Sequence, residues 1–207
     1  RHALLPDETD VDLLRRFPNK LIAINRYGDG FNFISTNHRE AMQEVTARWL
    51  RKMNGKFNLY YLDIEDNSFI CHERREGFIS ACEEAGAFYR IVPLCRDFHD
   101  NLARLDALHL KNDVANVIVS PSHNVTGAVL AMSRRANLVL GESLFYSDFD
   151  FGNAMEITGC EFPSVVQDHA AIAQQVIAAA ELLGKELVQK FIPYHIVGQF
   201  QVYDHKE

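Results

Sequence analysis

Several residues that could bind a small molecule follow short apolar segments of this 207-residue sequence. Arg26, Ser122 and Asp150 each come within a few residues of the end of such a segment, and Arg74 follows the loop after another. A guanidinium fork and a carboxylate pair well with hydroxyl groups, while an aromatic ring such as that of Phe149 covers C–H faces. This combination is typical of a site that holds a polyol.

The same spacing also fits a simpler interpretation. Arg74 could lie on the surface of a helix, and Asp150 could be a turn residue or a helix cap. The positions of these residues along the chain leave both interpretations open.

Apolar segments alternate along the chain with longer amphipathic ones. The segments predicted as strands are 21–24, 31–35, 59–62, 89–94, 114–120, 144–146, 194–197 and 200–203. Those predicted as helices are 37–53, 73–84, a stretch around 102–108, 124–135 and 168–183. Strands that alternate with helices through long crossovers predict an α/β fold with a parallel sheet. In such sheets ligands bind beyond the carboxyl ends of the strands, where the polar residues named above would lie.

The composition limits the classes of function. Hydrophobic residues make up 47% of the sequence and charged residues 24%, which is ordinary for a globular protein with one or two cores. No apolar run reaches the roughly 18 residues of a membrane span, and the first residues contain no signal-peptide segment. Lys and Arg number 21 against 28 Asp and Glu, a net charge of −7 without a basic cluster, so this chain alone is not expected to bind DNA.

The cysteines and the missing motifs argue against a metal, a cofactor and catalysis. Four cysteines without paired spacing predict reduced thiols of a cytoplasmic protein: Cys71, Cys82, Cys95 and Cys160. The sequence contains no phosphate-binding loop, dinucleotide-binding motif, nucleophile elbow or zinc-protease motif. Asp148 and Asp150 could form a pair of catalytic carboxylates, although residues so spaced more often cap or face solvent. We predict a protein that is not an enzyme and needs no cofactor.

Many of these segments resemble, in the same order, the ligand-binding domains of the LacI/GalR family of bacterial transcription regulators. The most specific match is Arg74–Phe78, which is similar to the R-x-x-G-F motif of the family. Further matches run from 17 to 197 and include 17–26 (P-V-V-x-I-D-R), 144–150 (I-x-V-V-G-F-D), 163–167 (L-T-T-V-x-Q) and 192–197 (x-P-x-x-L-V). Their common order along the chain carries the resemblance.

The resemblance implies two Rossmann-like lobes with parallel sheets, of the periplasmic-binding-protein-like type. Residues 1–36 and 167–188 would form an incomplete N-lobe, and residues 37–166 and 189–207 would form the C-lobe. The family also carries an N-terminal helix-turn-helix headpiece that binds DNA. By this resemblance, that headpiece and roughly the opening half of the N-lobe would be missing from this sequence.

The family's pattern assigns roles to individual residues. Arg74 would clamp the effector, Asp150 would accept its hydroxyl groups, Gln167 would be a polar group of the hinge or cleft, and Phe98 could stack on the effector. Ser122 stands, with Pro121, where many members have Asn-Asp. Three further positions depart from the family's pattern: Asn25, Asn37 and Asp148.

The implied function is a switch that senses a small molecule. A sugar, sugar phosphate or nucleoside between the lobes would change the geometry of a homodimer, and DNA would be bound only through the headpiece. The first alternative is a periplasmic sugar-binding protein of a transporter, and the second is an enzyme on a flavodoxin-like α/β fold.

Overall fold

Two separate sheets organise the computed structural model, which describes residues 8–18, 20–64 and 68–201. In chain order the elements are α1 (Glu8–Arg16), β1 (Ile22–Ile24), β2 (Asn32–Thr36), α2 (His38–Lys52), β3 (Phe57–Ile64), α3 (Phe69–Ala85), β4 (Arg90–Leu94), α4 (Phe98–Asp106), β5 (Ala115–Val119), α5 (Thr126–Arg135), β6 (Leu144–Phe149), α6 (Ala154–Thr158), β7 (Ser164–Gln167), α7 (His169–Ala180), β8 (Gln189–Ile192) and β9 (Tyr194–Val197). The predicted α/β fold with parallel sheets is confirmed.

The larger sheet contains six strands in the order β4-β3-β5-β6-β7-β9, and only β9 runs antiparallel to its neighbour. Its two faces are covered by different helices because successive strand residues point to opposite sides. Leu59 and Tyr61 of β3 pack into the core formed with α2 and α3. Tyr60 and Leu62 pack into the core formed with α4 and α5. Burial on both faces explains why the strands are almost continuously apolar.

The smaller sheet contains β1, β2 and β8, all parallel. Ile34 of β2 packs against Ile172 and Ala179 of α7 and against Ile192 of β8. The chain passes between the two sheets three times, after β2, after β7 and after β8. The resemblance places 189–192 in the C-lobe, and the structure corrects this, because β8 pairs with β2 and the chain crosses only at Pro193.

Most predicted helices and strands are confirmed. Asn37 caps α2 by accepting a hydrogen bond from the backbone nitrogen of Glu40, and α3 ends at Gly86, which has a left-handed φ of 63°. The sequence did not predict α1, α6, β7 or β8. Phe200 and Gln201 of the predicted 200–203 strand are not in a strand, and residues 202 and 203 lie outside the described part of the chain. Within that part, no helix is long and apolar enough to cross a membrane.

Helices α2 and α3 touch through their backbones at Gly77. A Cβ atom at this position would lie 2.2 Å from the carbonyl oxygen of Arg39, which is far inside van der Waals contact. Gly77 is the glycine of the R-x-x-G-F segment, so the motif has a packing reason. The absence of a side chain at Gly77 lets α3 approach α2 closely, and this close packing places Arg74 at the carboxyl edge of the larger sheet.

We therefore expect Gly77→Ala to lower the free energy of unfolding by about 2–3 kcal/mol, because the added methyl group overlaps backbone atoms that cannot move independently. Urea unfolding followed by circular dichroism measures the change. Gly127→Ala in α5 is the matched control, since its Cβ would meet only the Phe98 ring at 3.7 Å. The control should be neutral or slightly stabilising. Equal midpoints for Gly77→Ala and wild type would contradict the close approach.

Candidate functional site

The Arg74 guanidinium is buried at the carboxyl edge of the larger sheet, and its residue is only 5% exposed. Its Nη2 lies 3.3 Å from Oδ2 of Asp150, and its Nη1 donates a hydrogen bond to the carbonyl oxygen of Pro121. The guanidinium carbon lies 3.6 Å from the centre of the Phe149 ring. The simpler interpretation, in which Arg74 is a surface residue of a helix, is wrong.

Burying this charge requires compensation. Desolvation lowers the pKa of Arg74 from its ordinary value, and the neighbouring carboxylate of Asp150 opposes part of that effect. The face of the Phe149 ring adds a cation–π contact. An arginine nevertheless stays protonated in proteins, so the site keeps a fixed positive charge beside a carboxylate.

Asp150 is held in an unusual backbone conformation directly after β6. Its φ is 64°, in the left-handed region that few residues other than Gly, Asn and Asp adopt. Its carboxylate accepts hydrogen bonds from the side-chain Nε2 of Gln167 at 2.9 Å and from the backbone nitrogen of Gln167 at 3.4 Å. Three of the predicted residues, Arg74, Asp150 and Gln167, therefore form one connected network.

His38, which the sequence did not single out, belongs to the same network. It is the first residue of α2, is fully buried, and places Nδ1 3.3 Å from Nη2 of Arg74. Burial, with a smaller contribution from the positive charge of Arg74, lowers the pKa of His38 to about 2. The imidazole is therefore neutral at any physiological pH.

A cavity of about 610 Å³ opens beside Arg74, at the carboxyl ends of β3, β4 and β5. This volume is within the usual range for small-molecule sites. Its described lining includes Arg74, Ser122, Asn124, Cys71, Cys95 and Arg96. Ser122 thus lies where the sequence predicted it, and the cavity is mixed in polarity.

Of the six predicted residues, only Arg74 and Ser122 are among the described residues that line the cavity. Asp150 and Gln167 are connected to it through the contact of Asp150 with Arg74, and the other two lie elsewhere. Phe98 begins α4, is 45% exposed, and is not among the described residues that line the cavity. The guanidinium of Arg26 stacks on the ring of Phe69 at the start of α3, with its central carbon 4.8 Å from the ring centre. Sequence spacing does not identify the direction of either side chain, because that direction depends on tertiary packing.

The proposed pair of carboxylates is divided between two environments. Thr126 donates a hydrogen bond to Oδ2 of Asp148 at 2.6 Å, and Tyr146 in turn donates to the hydroxyl of Thr126 at 2.7 Å. Asp150 instead binds Arg74 and Gln167. Burial raises the pKa of Asp148 to about 7, and the hydrogen bond from Thr126 opposes part of this rise. The described residues also contain no cluster of three metal-ligating side chains.

The buried carboxyl of Asp148 makes stability depend on pH. Its pKa rises from 3.8 in the unfolded chain to about 7 in the folded protein, so its stabilising contribution is complete below pH 4 and is lost as the pH rises through 7. Asp148→Asn removes this titration. The free energy of unfolding of the variant minus that of wild type should be larger at pH 8 than at pH 5 by on the order of 2 kcal/mol. Urea unfolding at both pH values measures this difference, and equal pH dependence in Asp148→Asn and wild type would contradict the raised pKa of Asp148.

Two sheets joined by three chain crossings, with polar residues at the strand ends of the larger sheet, define a two-lobe α/β architecture. No family model and no curated protein sequence matches this chain. Solved structures match it closely in fold. One is the probable maltose operon transcriptional repressor of Staphylococcus aureus, with a TM-score of 0.75 at 15% identity over 94% of this chain and 71% of that one.

Two further structures show the same likeness. A transcription regulator from Lactobacillus plantarum has a TM-score of 0.72 at 17% identity, covering 87% of this chain and 72% of that one. A periplasmic binding protein/LacI transcriptional regulator from Alkaliphilus metalliredigens, complexed with D-xylulofuranose, has a TM-score of 0.72 at 11% identity over 89% and 71% of the two chains. The chain therefore has the periplasmic-binding-protein-like fold of LacI-type regulators, as the sequence resemblance predicted.

Proposed function

We propose that this chain is the effector-sensing domain of a bacterial DNA-binding transcription regulator of the LacI type, and that it is not an enzyme. The observation that carries the proposal is the buried Arg74–Asp150 pair beside a cavity at the strand ends, on a fold shared with such regulators. The four described cysteines are all free thiols, which favours the cytoplasm over the periplasm of the alternative sugar-transport protein.

The unsatisfied polar atoms of the site indicate what the effector would bring. Nε of Arg74 and Oε1 of Gln167 are buried without a hydrogen-bond partner among the described residues. Buried polar atoms normally have partners, so these two call for a molecule that both accepts and donates hydrogen bonds. Vicinal hydroxyl groups do both. A sugar, a sugar phosphate or a nucleoside fits, and the D-xylulofuranose bound to the Alkaliphilus protein supports the sugar class.

We propose that effector binding changes the orientation of the two lobes relative to one another. An effector that binds one orientation better than the other shifts their equilibrium by its difference in affinity, and by no more. In a homodimer this change would alter the spacing of two DNA-binding headpieces carried by the full-length regulator. Arg26 would contact the effector only in an orientation of the lobes that brings it to the cavity. Phe98 lies in the same lobe as the cavity but outside its described lining, so we assign it no effector contact.

A thermal-shift panel of pentoses, hexoses, their phosphates and nucleosides tests the proposal. A compound at 100 times its Kd stabilises the folded state by about 2.7 kcal/mol, which raises the Tm visibly. Asp150→Asn should weaken that compound by about 1.5–3 kcal/mol, because a charged acceptor is lost. Asparagine tolerates the left-handed backbone at position 150, so the variant should fold.

Asp106→Asn is the matched control, since Asp106 pairs with Arg135 in another part of the C-lobe. It should keep wild-type affinity. If Asp150→Asn binds the compound as tightly as wild type does, the effector does not use this carboxylate and the proposed site is wrong.

A further inference from the structure

We infer that His38 is a positioning residue of the effector site, which holds the Arg74 guanidinium in place to pair with Asp150. It also links this guanidinium to the point where the chain enters the C-lobe. The inference deepens the proposed function and rests on it. It begins from a contact between two buried side chains on different helices, α2 and α3.

The chemistry of the two groups determines the protonation state and the tautomer of the His38 imidazole. A guanidinium has only donors, so Nδ1 of His38 must accept the hydrogen bond from Nη2 of Arg74. The ring proton therefore lies on Nε2. A protonated ring would present a second positive group to Arg74 and would have no acceptor, so this position requires the neutral form.

His38 and Gln167 connect the ion pair to two of the three chain crossings. His38 follows the end of β2 by two residues, and Gln167 ends β7 immediately before the helix cap Asp168. Through these residues Arg74 is tied to one crossing and Asp150 to another. A ligand that displaces the guanidinium or the carboxylate would therefore also displace residues next to the chain crossings between the lobes.

Packing alone does not account for a histidine here. Its Nε2 is buried and has no hydrogen-bond partner in the described part of the chain, which is a destabilising arrangement. Leucine has a similar volume and would fill the space without this cost. The acceptor at Nδ1 is what leucine lacks, so the contact with Arg74 is the property that distinguishes histidine at this position.

Nuclear magnetic resonance of arginine side chains tests this directly and needs no ligand. The Arg74 Nη signals of 15N-arginine-labelled protein are assigned by their loss in Arg74→Lys. His38→Asn retains a carbonyl acceptor, whereas His38→Leu removes it. We expect Nη2 hydrogens to exchange with solvent at least about tenfold faster in His38→Leu and within about threefold of wild type in His38→Asn.

Val45→Ala is the control for a general loss of stability, since Val45 lies in the core face of the same helix and is 1% exposed. It should leave the Arg74 exchange rate unchanged. A long-range 1H–15N spectrum should also show His38 protonated at Nε2 alone from pH 5 to pH 8. Unchanged Arg74 exchange in His38→Leu, or a proton on Nδ1, overturns the inference.

Binding provides the second readout. For a compound that passes the panel of sugars, sugar phosphates and nucleosides, His38→Leu should raise the Kd about tenfold and His38→Asn by less than about threefold. Wild-type affinity in His38→Leu overturns the positioning role. If no compound binds wild-type protein, the proposed function fails while the exchange measurement still decides whether His38 positions Arg74.

Discussion

The buried positive charge of Arg74 is the constraint around which the larger sheet is arranged. A guanidinium removed from water is strongly unfavourable unless a counter-charge and hydrogen-bond acceptors surround it. Here those groups come from distant parts of the chain: His38, Pro121, Phe149 and Asp150. They meet only if β5 and β6 are adjacent and parallel, so that their carboxyl ends lie together beneath α3.

The backbone conformation at Asp150 also helps to position the charged groups of the site. The left-handed backbone at Asp150 turns its carboxylate toward both Arg74 and Gln167, and strained positions of this kind are frequent at functional sites. The same carboxylate accepts from the backbone of Gln167, where the chain leaves the sheet. One pair of opposite charges thus serves the cavity and the chain crossings together.

Much of this arrangement follows from sequence patterns, and the remainder depends on tertiary contacts. Buried parallel strands are apolar throughout, so the alternation of strands and helices was predictable, as were both ends of α2 and the C-terminal end of α3. Strand β8 was misplaced because Gln189, Lys190 and Phe191 are exposed and show no strand pattern. A single histidine after a helix cap gives no signal of burial, and the direction of Phe98 depends on the angle at which α4 meets α5.

The contact at Gly77 decides where motion can occur. Because no side chain separates α2 and α3 at Gly77, the two helices pack closely, and we expect His38 and Arg74 to move together. Under the proposed function, movement between the lobes would then occur where the backbone passes from one sheet to the other. Under the proposed function, substitutions at the three crossings (Asn37, Asp168 and Pro193) would change the sensitivity to the effector more than the choice of effector.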